Sequence, residues 1–299
     1  MSHRRERPFR FGVTMLAPED RTGWVAKCRR AEALGYDVVS VADHLGLPPV
    51  FPALVLAAEA TEHVRVGTYV LNTPFYNPAV LAREVAGADQ FTGGRLELGL
   101  GAGYQQWEFE KAGIPFDSPG KRVDHLERTV AELRGSYADP EYAPAPAQRG
   151  GPPLLLGGRG NRMLRLAARE ASVVAFSGVG AGTDNAPPIR LADAAELAER
   201  VEYVNGLLGD RAAEVELNVI VQRVRNTGDR RAAAEELAAD ERVPLDADAL
   251  LEVPTVLFGT PAQQAEQLRA AREQYGFSYI TVLESSLDEF APVIELLHP

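Results

Sequence analysis

The chain has 299 residues, a length that an α/β barrel fills as one domain, and its 45% apolar and 24% charged residues are ordinary globular usage that argues against disorder. A formal net charge of -11, with the basic residues dispersed, leaves no electrostatic footprint for a nucleic-acid partner. Cys28 is the only cysteine, so no disulfide forms within the chain, and no run approaches the roughly 20 apolar residues that cross a bilayer. The expectation is a cytoplasmic protein without membrane contact. Met1 to Arg10 is basic, but Phe9 to Leu16 is too short and interrupted for a signal-peptide core.

In chain order, short β-branched runs alternate with segments whose apolar residues recur every three or four positions, a repeated strand-then-helix pattern. Phe9 to Met15 reads as the first strand and Thr22 to Tyr36 as its helix, with Thr22 as N-cap and Gly35 as the stop. Val38 to His44, Val64 to Leu71 and Arg95 to Leu100 read as strands two to four. Helices at Val50 to Glu62, Asn77 to Phe91 and Val123 to Arg134 follow them. The loop before Val123 is too long to be only a connector. Ala138 to Pro153, rich in Ala and Pro, reads as an irregular excursion. Leu154 to Leu156, Ser172 to Ser177, Val215 to Val224 and Ser278 to Leu283 are strands five to eight. Their helices are Arg162 to Glu170, Leu191 to Leu208, Pro261 to Tyr275 and Leu287 to Leu297, with an extra one at Arg230 to Glu241. Eight such units in this length predict a single (β/α)8 TIM barrel over residues 1–299, with insertions after strands four and seven. In that fold the loops after the strands form the active face.

Those loops hold most of the candidate chemistry. After strand two, Asp43-His44 sets a carboxylate beside an imidazole that titrates near neutrality and can donate or accept a proton; a hydrogen-bonded structural pair at a turn is the plain alternative. After strand three, Asn72 to Pro78 brings an amide, a hydroxyl and two aromatics, including Tyr76, near the mouth. It reads equally as a loop and helix cap. Strand four ends in Gly99-Leu100-Gly101-Ala102-Gly103-Tyr104, where missing side chains let a planar ligand or its phosphates approach the backbone. The third glycine of a dinucleotide fingerprint is absent. After strand five, Gly157-Gly158-Arg159-Gly160 runs straight into a helix, a pattern that serves a phosphate site or simply a tight turn. Ser177-Gly178-Val179-Gly180 follows strand six, and Gln222 and Arg223 near the end of strand seven read either as facing the mouth or, for the arginine, as a solvated surface group. His63 and His125, in helical segments, read as structural, and no metal site is expected. Neither a G-x-S-x-G elbow nor a P-loop is present.

Taken together, Ala31 to Asp37, Ala42-Asp43-His44, Gly67 to Asn72, Gly93 to Gly103, Gly157-Gly158 and Phe258-Gly259-Thr260-Pro261 resemble the luciferase-like monooxygenase family, and more closely its coenzyme F420-dependent oxidoreductase branch. The resemblance implies a tricyclic ring at the barrel mouth and a phosphate chain at the turns after strands five and six. It places Gly157, Gly158, Arg159, Gly160, Ser177 and Gly178 at the phosphates. Asp43, His44, Tyr69, Val70, Asn72, Gly101, Ala102 and Gly103 would lie around the ring. His44 is the implied proton relay, and a cis peptide is implied at Tyr69-Val70. Tyr104, Gln105 and Tyr76 are the candidate substrate contacts. Two departures narrow this. The sugar-phosphate dehydrogenase branch has a glutamate where this chain has Tyr104, and a lysine where it has Val179, a loss for which Arg159 compensates. Glu108 and Phe109 match a family pair and read as loop anchors.

The implied activity is hydride transfer between F420 and a small organic substrate. A monooxygenase using reduced FMN and oxygen is the alternative, and a flavin- or deazaflavin-binding protein without turnover is a third reading of another class. A homodimer through the apolar faces of the second and third helices is compatible with the pattern.

Overall fold

The computed structural model describes residues 7–17, 19–181, 189–240 and 243–298. Eight parallel strands close into a barrel: β1 (Arg10–Met15), β2 (Val38–Val41), β3 (Arg65–Thr68), β4 (Leu96–Gly101), β5 (Leu154–Gly157), β6 (Val173–Phe176), β7 (Glu216–Val221) and β8 (Phe277–Leu283). Each pairs in parallel with its neighbours in sequence, and β8 returns to β1. The strands are buried along nearly their whole length because helices cover them outside and side chains fill them inside.

The covering helices are α1 (Arg21–Ala33), α2 (Val50–Ala60), α3 (Pro78–Phe91), α5 (Pro119–Ala138), α6 (Asn161–Glu170), α7 (Ala194–Leu208), α10 (Pro261–Tyr275) and α11 (Ala291–Leu297). Their starts follow capping chemistry. Asp20, rather than Thr22, caps α1 by accepting from Gly23 N, and Gly35 lies past its end at φ +84°. Asp193 with Glu196, and Thr260 with Gln263, form capping boxes on α7 and α10. The Asp193 box starts α7 three residues after Leu191, leaving Ile189–Leu191 free to pair with Val179–Ala181 as a short antiparallel ribbon.

Three more elements depart from the expected spans. The loop after β4 contains a further helix, α4 (Gln106–Ala112), ended by Gly113 in the left-handed region. Strand three is interrupted: β3 stops at Thr68, the Tyr69–Val70 peptide is cis where the resemblance implies it, and Leu71–Asn72 resumes pairing with Leu100 and Gly101. Strand seven ends at Val221, and Arg223–Asn226 leaves the barrel to pair with Val256–Gly259. Beside that pair lie α8 (Arg230–Ala238) and α9 (Ala247–Glu252), which share a small apolar cluster with it. The expected end of the inserted helix at Glu241 lies outside the described residues. No described helix is long and apolar enough to cross a membrane.

The strand N-termini form a charged floor. Arg10 pairs with Glu97 at 2.5 Å and Glu216 at 2.8 Å, and its guanidinium lies 4.0 Å from the centre of the Tyr279 ring. Arg65 reaches the same Glu97 at 2.6 Å. Burial disfavours the Arg10 charge, but Glu97, Tyr279 and Glu216 outweigh it and hold the guanidinium firmly ionised. Above the floor, the fully buried Asn218 amide donates to Tyr279 O and Thr281 Oγ1 and accepts from Tyr69 Oη at 2.7 Å. The interior is thus a packed, polar-stitched core rather than a channel.

Candidate active site

At the opposite end, the residues after β2, β3 and β4 converge. Asp43 and His44 leave β2 as soon as its pairing ends at Val41, which frees both side chains at the rim. Asp43 Oδ2 accepts the Asn72 backbone N–H at 2.9 Å and is hydrogen-bonded by the Tyr76 hydroxyl. Burial raises the pKa of Asp43, the Asn72, Tyr76 and His44 contacts oppose that rise, and the Glu108 charge adds to it. Tyr76 is itself pushed well above the usual phenol range by burial and by the Asp43 charge.

Helix α4 delivers the partner of His44. Glu108 and Phe109 turn inward while Trp107 and Glu110 face outward. Glu108, 1% exposed, brings Oε1 and Oε2 to 3.1 and 3.0 Å from His44 Nδ1, and its Oε1 also accepts the Leu45 N–H at 2.8 Å. His44 Nε2 has no hydrogen-bond partner among the described residues. Tyr104, half exposed, meets the imidazole edge-on with ring centres 5.7 Å apart. Phe109 locks α4 in place against Phe75 and Phe116.

The strand-four glycines have protein neighbours. A Cβ at Gly99 would lie 2.1 Å from Thr68 O, one at Gly101 2.6 Å from Val70 Cγ2, and one at Gly103 2.3 Å from Asn72 Oδ1. Space cleared at these positions is therefore taken by the interrupted third strand. Asn72 Oδ1 is buried against Gly103 and has no hydrogen-bond partner among the described residues. The turn that carries Asn72 is braced from outside: His125, on α5, bonds through Nε2 to Thr73 O and Tyr76 O at 3.0 and 3.1 Å. Gln105 is the N-cap residue of α4, and Ala102 packs at the edge of the main core. Tyr69 sends its hydroxyl down to Asn218, away from the rim.

A second group assembles after β5 and β6. Gly158, Arg159, Ser177, Gly178, Val179, Gly180 and Arg200 line a cavity of about 200 Å³. Gly160 is the N-cap residue of α6 and offers no side chain to its first turn, so those backbone N–H groups keep their donor capacity. Arg159 reaches Gly180 O at 2.5 Å and has no carboxylate partner among the described residues, whereas Arg200 is held by Glu199 and Asn161. Gln222 donates to Ser177 O at 2.9 Å and braces that turn; the Arg223 side chain is exposed and, among the described residues, bonds only the Gln222 carbonyl. Gly178, at φ +63°, lies where a Cβ would be 2.2 Å from Thr255 Cγ2.

The residues marked in the sequence thus fall into two groups, one around His44 and Asn72 and one at the α6 N-terminus. Glu108 as the His44 partner, Arg200 in the cavity and Asn218 beneath Tyr69 were not read as site residues. Glu108 lies 64 positions from His44; the sequence marked it, with Phe109, only as a loop anchor.

Comparison with known proteins places the chain in a family. Over 176 residues the chain is 29% identical to a 5,10-methylenetetrahydromethanopterin reductase of Methanolobus tindarius, covering 55% of this chain and 52% of the relative. The chain therefore spans about half the length of that curated relative. A solved F420-dependent secondary alcohol dehydrogenase superposes with a TM-score of 0.73 at 18% identity, over 98% of this chain and 100% of that one. The oxygenating constituent of a 3,6-diketocamphane monooxygenase from Pseudomonas putida, solved with FMN, superposes with a TM-score of 0.68 at 16% identity, over 97% and 96%. At these identities the two superpositions establish the fold. The sequence profile of the luciferase-like monooxygenases matches residues 8–279, from the first strand into the last, so the chain belongs to the luciferase-like monooxygenase family.

Proposed function

We propose that the protein is an oxidoreductase that exchanges a hydride between a deazaflavin of the F420 type and a small organic substrate, with His44 moving the accompanying proton. The observation that carries this reading is the pairing, at one rim, of an imidazole Nε2 and a buried amide oxygen, Asn72 Oδ1, neither of which has a hydrogen-bond partner among the described residues. A buried polar atom without a partner costs about 1–3 kcal/mol, and an N–H of a bound heterocycle would satisfy it. The family residues fit such a group. Asn72, Asp43 and His44 would hold its ring edge. The α6 N-terminus with Gly158, Arg159 and Gly160, together with Ser177 and Gly178 across the cavity, would hold its phosphate.

When bound, the deazaflavin supplies a hydride-accepting and hydride-donating ring carbon, which is chemistry no side chain provides. The chain supplies the rest. Asp43, tied to Asn72 N and Tyr76, fixes the turn on which Asn72 sits. Asp43 and His44 set two proton-exchanging groups of different environment side by side, one buried and one at the rim. Tyr104 covers one edge of His44 and, with Gln105 and Tyr76, borders the space a substrate would enter. In the alcohol-to-carbonyl direction His44 Nε2 takes the hydroxyl proton; in the reverse direction it returns it.

Support for F420 comes from the alcohol dehydrogenase, which shares the fold and is F420-dependent by name, with a methylenetetrahydromethanopterin reductase among the relatives matched in sequence. A monooxygenase working with reduced FMN is the second reading, favoured by the fold shared with the FMN-bound diketocamphane enzyme. Titration of the purified protein with F420 and, separately, FMN, followed by cofactor fluorescence, decides between them. Tighter F420 binding supports hydride exchange. Tighter FMN binding promotes the monooxygenase, and binding of neither removes this account of the mouth.

A further inference from the structure

We propose that Glu108 is a positioning residue that fixes His44 as its Nδ1–H tautomer and so makes Nε2 the atom that exchanges a proton at the mouth. The functional half of this inference rests on the reading of His44 given above; the tautomer half rests on geometry alone.

Glu108 is buried to 1% exposure, and both of its oxygens are within hydrogen-bond distance of Nδ1. An ionised carboxylate only accepts, so the ring nitrogen facing it must donate. The carboxylate cannot easily swing away, because Oε1 is also held by the Leu45 N–H, from the residue next to His44 itself. Two bonds to adjacent residues orient the carboxylate relative to the ring, and Phe109, the next residue of α4, is clamped by Phe75 and Phe116.

The other groups around the imidazole do not compete for Nδ1. Asp43, its chain neighbour, is engaged by Asn72 N and the Tyr76 hydroxyl. Tyr104 presents an edge-on ring. No Lys or Arg pairs with Glu108, Asp43 or His44 among the described residues. With Nδ1–H committed to Glu108, the neutral ring has its lone pair on Nε2. A proton taken there from a substrate hydroxyl gives an imidazolium lying against a buried negative charge; returning it restores the neutral ring, and Nδ1–H never leaves its carboxylate. This is the arrangement in which a carboxylate orients a histidine base without itself being protonated.

Nitrogen-15 NMR of histidine-labelled full-length protein, without cofactor, reads the tautomer directly, with the His44 signals assigned by their loss in His44→Asn. The expected wild-type spectrum at alkaline pH has Nδ1 protonated and Nε2 bare. In Glu108→Gln the amide oxygen stays on Leu45 N–H and its NH2 turns toward Nδ1, which must then accept, so the proton moves to Nε2. With a turnover assay in hand, Glu108→Gln lowers kcat about 10²-fold or more while leaving cofactor affinity within a few fold, and Glu108→Asp restores part of it. An Nε2–H tautomer in the wild type overturns the proposal, and that measurement needs no variant to fold. So does an unchanged His44 spectrum in a Glu108→Gln protein with wild-type circular dichroism. A purely structural Glu108 would lower the melting temperature without moving the tautomer. Because the tautomer is read without cofactor, failure to bind F420 or FMN leaves it standing, and a wrong tautomer leaves cofactor binding standing.

Discussion

The two ends of the barrel are built from similar residue types and handle them in opposite ways. At the floor, Arg10, Arg65, Glu97 and Glu216 bond one another across four strands, and Tyr279 lies under the Arg10 guanidinium. At the mouth, a comparable number of polar groups is placed so that two of them, His44 Nε2 and Asn72 Oδ1, are left over. Charge neutralised by charge holds a barrel closed. Hydrogen-bonding capacity without a protein partner is what a ligand needs. On the proposed reading, the same fold concentrates stability at the strand N-termini and chemistry at their C-termini.

The sharpest test of that division is His44→Ala. Removing the proposed proton relay is expected to lower turnover by about 10²–10⁴-fold and, because buried Glu108 loses its ring partner, to cost about 1–3 kcal/mol of stability; steady-state kinetics beside a denaturant titration measures both. Equal turnover in the variant would remove His44 from the chemistry. Glu97→Gln at the floor is the mirror experiment. It strips the shared partner from Arg10 and Arg65 and is expected to cost about 3 kcal/mol, near the low end for breaking a buried pair because Arg10 keeps Glu216. Urea unfolding reads the loss, and cofactor affinity should not change. A Glu97→Gln protein as stable as the wild type would mean the floor charges are ornamental.

Asn218→Leu tests the boundary between the two regions. It leaves the Tyr69 hydroxyl and Thr281 Oγ1 without their partner and should cost about 1–3 kcal/mol. Tyr69→Phe in the same background should recover part of it, because the orphaned hydroxyl is gone. If Asn218→Leu instead weakens cofactor binding more than stability, the mouth extends deeper than drawn.

The smallest effect is expected at Glu284, just beyond β8. Burial disfavours its charge, but Lys27 and the Leu16 and Ala17 N–H groups outweigh that and hold its pKa below the ordinary 4.5. A carboxylate with a lowered folded-state pKa stabilises fully above its unfolded value and loses that contribution as the pH falls through the folded one. Thermal stability should therefore decline below about pH 4.5, and Glu284→Gln should be less stable at pH 7 with a shallower acid limb. An acid limb of identical slope in the variant would assign the decline to other carboxylates.

Periodicity was enough for the barrel. Eight strand-then-helix repeats are written in residues whose neighbours in sequence are also their neighbours in space, because each unit buries its own strand and helix face. The rim positions of Asp43, His44 and Asn72 were legible for the same reason: they lie at or just past strand ends, and the fold puts strand ends at the mouth. Capping shifted several boundaries, as where Asp193 rather than Leu191 starts α7, because one side-chain hydrogen bond outweighs the reach of an apolar pattern.

What sequence alone could not determine is which long-range partner each group takes. Glu108 is 64 residues from His44, Tyr69 is 149 from Asn218, and Arg10 is 206 from Glu216. The glycines of strand four read as room for a ligand, yet Thr68 O, Val70 and Asn72 occupy that room. Composition and spacing specify which elements form and which ends they expose. Only closure of the barrel decides which nitrogen of His44 is held, which oxygen of Asn72 is left over and which charges cancel, because those pairings exist only when strands distant in the chain are brought side by side.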